Sequence, residues 1–131
     1  MKKAEESEKI TINLGFVDLG RIDLLVREGF YSTRSDFIRA AIRHQLAAHA
    51  EDVARSVQRT SLDVGLRDIS RAELEAALAA GEMLHIRIVG LARIAADVSP
   101  DLARATIGTL TVLGALQAPP AIRSALADRI R

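Results

Sequence analysis

The segment Lys9–Leu14, which reads KITINL, decides how the N-terminal part of this chain folds. Apolar and polar residues alternate strictly along it. This is the pattern of a half-buried β-strand with Ile10, Ile12 and Leu14 on its apolar face. Gly15 ends the pattern, so we predict one short strand that is polar on one face and apolar on the other.

Two helical patterns follow the strand. The first covers about residues 17–28, and Gly29 stands at its C-terminal stop. The second begins after Thr33, a good N-cap, with Asp36 at the capping-box position. It runs to about Ala48, or on through residues 51–59. The expected apolar stripe of this second helix consists of Phe37, Ile38, Ala41, Ile42 and Leu46.

A single strand followed by two helices is an incomplete fold. The strand leaves its backbone groups unpaired, and nothing covers its apolar face. Antiparallel pairing of the strands of two chains, enclosed by four helices, resolves both problems. The resulting ribbon has the right width for the major groove of DNA. We therefore predict a homodimer, whose core contains Ile10, Ile12, Leu14, Ile22, Phe37, Ile38, Ala41 and Ile42.

Residues 9–48 resemble the ribbon–helix–helix family, the fold of the Arc and MetJ repressors and of plasmid copy-control proteins. The resemblance rests on KITINL, on the pair Ile22-Asp23, and most specifically on the stretch GFYSTRSDFIRAAI at residues 29–42. It implies an α+β, mostly helical protein. The N-terminal module would be an intertwined dimer with a two-stranded antiparallel ribbon. The residue pattern beyond the resemblance predicts a small strand–helix repeat region after it.

The resemblance also implies which residues contact double-stranded DNA. Lys9, Thr11 and Asn13 match the strand positions that face the bases. Asn can pair with adenine, Lys can reach guanine, and Thr can touch either edge. The start of the second helix matches a phosphate clamp, because a helix N-terminus offers free N–H groups and a positive dipole end. The expected phosphate contacts are Ser32, Thr33 and Arg34.

Some residues depart from the family pattern. Gly15 stands where many members have proline, and Asp18 and Gly20 are expected to weaken the start of the first helix. Lys9 is the single positive charge that we place on the reading face, and Glu8 beside it opposes phosphate binding. We expect modest affinity for each dimer, with tight binding dependent on tandem sites.

Composition narrows the function classes. Hydrophobic residues make up 49% of the 131 residues, which is enough for a packed core, and there is no cysteine to form a disulfide or a thiolate metal site. No apolar run reaches the length of a membrane span, and residues 1–6 turn acidic where a signal peptide would become apolar. These features favour a cytoplasmic protein. The net charge is +1, so DNA contacts must come from local placement of groups.

The C-terminal half changes character. Thr60–Asp68 reads as a linker around Gly65. The predicted elements after it are a helix at Arg71–Ala80, a strand at Met83–Ile94, a helix at Pro100–Ile107 ended by Gly108, a strand at Thr109–Leu116, and a last helix from Pro120 to about Ile130. The domains expected are 1–50 for DNA binding and dimerisation, 51–69 for a helical extension and linker, and 70–131 for oligomerisation or partner binding.

A weak repeat supports parallel pairing of the two predicted strands. Residues 88–91 (IVGL) resemble residues 112–115 (VLGA) at a spacing of 24. Apolar strands followed by helices are typical of parallel sheets. A two-stranded unit cannot bury its own surface, so we expect self-association through residues 83–130 or binding of a protein partner.

Catalysis and metal binding have little support. The histidines are His44, His49 and His85, and His85 alone could contribute to a metal-sensing C-terminal site, which needs several ligands. Arg87 and Arg93 could line an anion pocket, although exposed strand residues explain them as well. No catalytic motif is present, and we expect neither an enzyme nor a cofactor.

Three functions remain open. The first is a sequence-specific transcriptional regulator, a repressor, that acts as a dimer or higher oligomer. The second is an antitoxin that regulates its own synthesis, although antitoxin tails are typically polar and disordered before they bind their toxins. The third is an assembly-forming protein that uses the same fold without reading DNA.

Overall fold

The computed structural model describes residues 7–131, which form two compact units, Ser7–Ser56 and Val57–Arg131. The elements in chain order are α1 (Phe16–Arg27), α2 (Arg34–Ala48), α3 (Ala50–Thr60), β1 (Asp63–Ile69), α4 (Arg71–Ala80), β2 (Leu84–Ile94), α5 (Pro100–Thr106), β3 (Ile107–Gln117) and α6 (Pro120–Ala125).

Gly29 ends α1 as predicted. Its φ is +85°, in the left-handed region, and its N–H donates to the Val26 carbonyl at 3.1 Å. The next amide, of Phe30, donates to Leu25 at 2.9 Å. Together the two bonds form a Schellman motif, which requires a residue that tolerates positive φ.

The start of α1 differs from the expectation. The helix begins at Phe16 and includes both Asp18 and Gly20. Asp18 lies in the first turn, where a negative side chain interacts favourably with the helix dipole. Asp18 is therefore compatible with the start of this helix.

Thr33 caps α2, as predicted. Its hydroxyl oxygen accepts a hydrogen bond from the Asp36 N–H at 3.0 Å. The helix ends at Ala48, His49 breaks the helical backbone, and α3 begins at Ala50. The continuation predicted through residues 51–59 is thus a separate helix.

The C-terminal unit contains a three-stranded parallel sheet in the order β1-β2-β3. Parallel pairing of the two predicted strands is confirmed. The prediction of a linker at Thr60–Asp68 is wrong, because β1 occupies most of this segment and pairs with β2 along its whole length. Gly65 and the charged residues around it interrupt the apolar pattern that would predict a strand. The segment is extended because it pairs with β2.

The expected antiparallel ribbon is not present in the single chain. Within residues 7–131 the only sheet is the parallel one, and residues 7–15 belong to no helix or strand. A strand that pairs only with a second chain has no hydrogen-bonded partner strand in the structure of one chain. The antiparallel ribbon therefore remains a prediction.

Local capping sets the helix starts of the C-terminal unit. Ser70 accepts from the Glu73 N–H at 3.2 Å to start α4, and Ser99 accepts from the Leu102 N–H at 3.1 Å to start α5. Pro100 occupies the first turn of α5, as predicted.

Two predicted boundaries of the C-terminal unit are wrong. Helix α5 ends at Thr106, and β3 begins at Ile107 because Ile107 is fully buried in the core; Gly108 lies inside the strand, at an irregularity of the register. Helix α6 ends at Ala125 rather than near Ile130, because Ile130 forms a β-bridge with Leu110.

The core of this unit lies between the sheet and its helices. Leu74 of α4, Ala103 of α5 and Ile122 of α6 belong to one buried cluster together with Ile88 and Leu110 of the strands. All three helices therefore cover the same face of the sheet, and α4 and α5 are the crossovers between successive parallel strands. The other face remains open.

Three glycines form a row across the sheet. Gly65, Gly90 and Gly114 are in register, and their φ values are +130°, +140° and +125°. A Cβ on Gly90 would lie 2.1 Å from the Gly65 carbonyl oxygen, and a Cβ on Gly114 would lie 2.1 Å from that of Gly90. Each strand after the first thus needs glycine at this position, both for its conformation and for the approach of the neighbouring carbonyl.

The glycine row extends the repeat seen in the sequence. The segment at residues 63–66 (DVGL) precedes residues 88–91 by 25 positions, and the structure aligns the two segments. The C-terminal unit therefore consists of three strand–helix repeats rather than two.

Candidate nucleic-acid interface

The N-terminal unit leaves most of its apolar side chains exposed. Ile22 on α1 is the only buried residue between Ser7 and Ser56. Ile10 is 73% exposed, Ile12 is 57% exposed and Ile42 on α2 is 47% exposed. So small a core and so much exposed apolar surface are typical of units that associate with a partner.

The eight predicted dimer-core residues separate into three groups. Ile22 is buried where α1 meets α2, and Phe37 and Ile38 of α2 are half-buried. The remaining five are exposed in the single chain: Ile10, Ile12, Leu14, Ala41 and Ile42.

Covering the exposed core residues would be strongly favourable. Burial of one large aliphatic side chain contributes about 1.5–3 kcal/mol. Since Ile10, Ile12 and Ile42 are each about half exposed or more, their burial in two chains would contribute on the order of 5–10 kcal/mol before entropy costs.

The three predicted base-contacting residues are all accessible. Lys9, Thr11 and Asn13 are exposed, and none lies in a helix or strand of the single chain. They alternate with the apolar residues of the same segment. If that segment becomes a strand, its polar face is free to meet another molecule while the apolar face is covered.

The predicted phosphate-contacting residues lie together at the start of α2. Ser32 is exposed in the turn before the helix, and Thr33 uses its hydroxyl for the N-cap. The first two amides of the helix, of Arg34 and Ser35, have no intrahelical acceptor in an α-helix and point outward from its N-terminus. A phosphate could accept from them.

Arg34 is engaged within the unit. Its Nε donates to Asp23 Oδ1 at 2.7 Å and its Nη2 donates to Asp23 Oδ2 at 2.8 Å, which links α2 to α1. This bidentate ion pair orients the first turn of α2. Both residues belong to the stretches that carry the family resemblance, but their spacing in the sequence did not predict that they pair.

The turn between α1 and α2 is also held by aromatic packing. The rings of Tyr31 and Phe37 meet edge to face, with centroids 5.0 Å apart and an interplanar angle of 86°. Together with the Schellman motif at Gly29, this contact gives the N-terminus of α2 a defined direction.

The ion pair affects the titration of Asp23. The hydrogen bonds from Arg34 lower the pKa of the Asp23 carboxyl, and the positive charge of Arg34 acts in the same direction. Because the folded pKa lies below the unfolded one, the stabilisation is present above the unfolded pKa. It is lost as the pH falls through the folded pKa.

We expect the Arg34→Ala variant to raise the pKa of Asp23 toward its ordinary value. The carboxyl carbon of Asp23, followed by NMR as a function of pH, measures the change. Arg39→Ala, another arginine substitution on an exposed position of α2, should leave the titration of Asp23 unaltered. An unchanged pKa in Arg34→Ala would mean that the pair does not form in solution.

The alternative sites named from the sequence have local partners. His49 Nδ1 lies 3.0 Å from Asp52, and His85 Nδ1 lies 3.0 Å from the Thr109 hydroxyl. Arg93 is paired with Asp68 at 2.8 Å, which opposes an anion there. Across residues 7–131, no three His, Cys, Asp or Glu side chains are grouped so that they could hold a metal ion. None of the helices described is long and apolar enough to cross a membrane.

The fold and the interface together define a class of protein. A two-helix unit follows a short segment with an alternating apolar face, and its core is incomplete in one copy. A solvent-facing helix N-terminus is the third feature, and such features are typical of nucleic-acid-binding modules that act as dimers.

The family comparison agrees with this class. The family described as the Ribbon-Helix-Helix transcriptional regulator family matches residues 5–123, and the chain belongs to it. The match extends far beyond residues 9–48, so the sheet of the C-terminal unit is part of the family pattern. This is a family of transcriptional regulators. Searches among curated proteins and among solved structures found no significant match.

Proposed function

We propose that this protein is a sequence-specific DNA-binding repressor that acts as a homodimer. Two copies of Lys9–Leu14 pair antiparallel and lie in the major groove, and the helices α1 and α2 of both chains cover their apolar faces. The observation that carries the proposal is the exposure of Ile10 and Ile12 on a segment whose polar residues alternate with them. The partner chain covers the apolar residues of the segment and leaves its polar residues free to contact DNA.

The two kinds of contact have different roles in this proposal. Lys9, Thr11 and Asn13 read base edges, and the first turn of α2 anchors the phosphate backbone at Ser32, Thr33 and Arg34. Nε and Nη2 of Arg34 bind Asp23, so we assign Arg34 mainly to positioning the amides of this turn. Bound in this way across a promoter, the dimer would exclude other proteins from the same groove.

The C-terminal unit argues against the antitoxin alternative. It has its own buried core, with Leu74, Ile107, Leu110 and Leu126 fully enclosed. A segment that folds only on a toxin would lack such a core. In our proposal residues 1–50 bind DNA, and the C-terminal unit makes contacts between copies of the chain.

The operator can be found directly. The purified full chain should retain a small set of fragments from the DNA of its own genome, and a fluorescence titration at fixed salt then gives the affinity for each fragment. Retention of fragments without any common sequence would contradict sequence-specific reading.

Replacing Asn13 by alanine should reduce discrimination between the operator and a one-base variant. Loss of one bidentate contact with adenine costs about 1–3 kcal/mol, which is roughly 5-fold to 150-fold in relative affinity. The control is Gln45→Ala, which removes another exposed amide on α2, outside the reading segment. Equal discrimination in Asn13→Ala and the unmodified protein would remove Asn13 from the reading face.

A further inference from the structure

The two edges of the parallel sheet differ. At β3, the Leu110 N–H donates to the Arg129 carbonyl at 2.9 Å, and the Arg131 N–H donates to the Leu110 carbonyl at 2.9 Å. The chain thus covers part of this edge with its own C-terminal residues. At the opposite edge, β1 pairs with β2 alone among residues 7–131.

Apolar side chains of the first repeat lie exposed beside this edge, and those of β1 are on the open face of the sheet. Val64 is 68% exposed and Leu66 is 51% exposed, and Leu78 of α4 in the same repeat is 53% exposed. Terminal repeats of stacked arrays normally carry polar caps, because an uncovered end exposes the core and the strand edge. This end has no such cap within the part of the chain that the structure describes.

The backbone of β1 can accept another strand. The Gly65 carbonyl points toward Gly90 of β2. Since peptide groups alternate in direction along a strand, the groups of Val64 and Leu66 face the open edge. The space beside Gly65 is free, because no atom lies within 4 Å of the position of a Cβ there.

The sequence of β1 is complementary to itself. In an antiparallel pair centred on Gly65, Val64 of one chain lies opposite Leu66 of the other. Asp63 lies opposite Arg67, whose guanidinium also binds Glu73 within its own chain. Each contact occurs twice, as a two-fold interface requires. Opposite charges and apolar residues that face each other across strands are both stabilising.

We propose that β1 pairs antiparallel with β1 of a second copy of this chain, about a two-fold axis at Gly65, and joins two sheets into one of six strands. The inference rests on the dimer of the proposed function. The two N-terminal units, once paired, hold both β1 strands in one molecule, so that their pairing becomes a step within one assembly. This contact lies at residues 63–69, outside the residues 83–130 to which the sequence analysis assigned self-association.

Disulfide trapping in the full chain tests the proposed pairing. The protein has no cysteine, so the double variant Val64→Cys/Leu66→Cys contains only the two introduced thiols. In the proposed register each thiol lies opposite one from the other chain, and mild oxidation should give a covalent dimer on a denaturing gel. Two thiols on the same face of one strand are poorly placed for a bond within the chain.

The matched control is Thr111→Cys/Leu113→Cys. These residues have the same spacing on the open face of β3, at the other edge of the sheet. We expect at least about a tenfold higher yield of covalent dimer for the β1 pair. Low yields for both pairs, in variants whose circular dichroism matches that of the unmodified protein, would overturn the proposal.

Hydrogen exchange provides a second measurement on the unmodified protein. The amides of Val64 and Leu66 should exchange slowly in the dimer, because they would bond across the interface. Rapid exchange of both amides would overturn the pairing. The mass in solution is measured in parallel: a dimer with rapid exchange and no cross-link contradicts this inference alone, whereas a monomer contradicts the proposed function as well.

Discussion

Replacing Gly90 by alanine should unfold the C-terminal unit or destabilise it by more than about 3 kcal/mol. Two costs add at this position. The φ of +140° is strained for any residue with a Cβ, and that Cβ would lie 2.1 Å from the Gly65 carbonyl oxygen. Since the oxygen is backbone, β1 and β2 must separate and lose ladder hydrogen bonds.

Gly65→Ala separates these two costs. Gly65 has nearly the same φ, +130°, but nothing lies within 4 Å of its Cβ position. Within one chain this variant should lose only the conformational part, about 1–3 kcal/mol, apart from its effect on the proposed pairing of β1 with a second copy. Equal losses in the two variants would show that the approach of the carbonyl does not matter.

Urea unfolding followed by circular dichroism measures both variants. Fluorescence of Tyr31, the single tyrosine, reports on the N-terminal unit separately. We expect Gly90→Ala to change the circular dichroism transition and leave the Tyr31 signal of the folded N-terminal unit in place. A native-like unfolding curve for Gly90→Ala would contradict the glycine row as a structural requirement.

Replacing Ile12 by aspartate should abolish the dimer, and DNA binding with it. Ile12 is 57% exposed in one chain and would be enclosed in two. The variant then places two carboxylates without partners in the shared core, at a cost of about 3–5 kcal/mol each. The dissociation constant of the dimer should rise by roughly a thousandfold or more.

Thr11→Asp is the matched control. Thr11 is adjacent in the chain but belongs to the polar set, so this variant should remain dimeric and bind DNA more weakly through repulsion by phosphate. Sedimentation and DNA titration at one fixed salt concentration compare the two variants. A dimeric Ile12→Asp protein would show that the apolar face of the segment is not the interface.

The sequence alone determined the features that depend on neighbouring residues. Thr33 was recognisable as an N-cap because a cap bonds to an amide three residues on. Gly29 was recognisable as a helix stop because a left-handed residue closes the helix within one turn. The resemblance of residues 9–48 was likewise local, and the family match agrees with it.

Only the tertiary structure decided the features that join distant residues. Asp63–Ile69 is a strand because β2, 25 residues away, pairs with it; its own sequence, interrupted by Gly65, indicated a linker. Arg34 binds Asp23 across two helices, which the spacing of 11 residues did not reveal. Long-range pairing overrides local preference, since a backbone ladder satisfies the peptide groups of whatever residues lie along it. For Lys9–Leu14 the strand that we expect to pair with it belongs to a second chain, so the structure of one chain cannot contain this ladder.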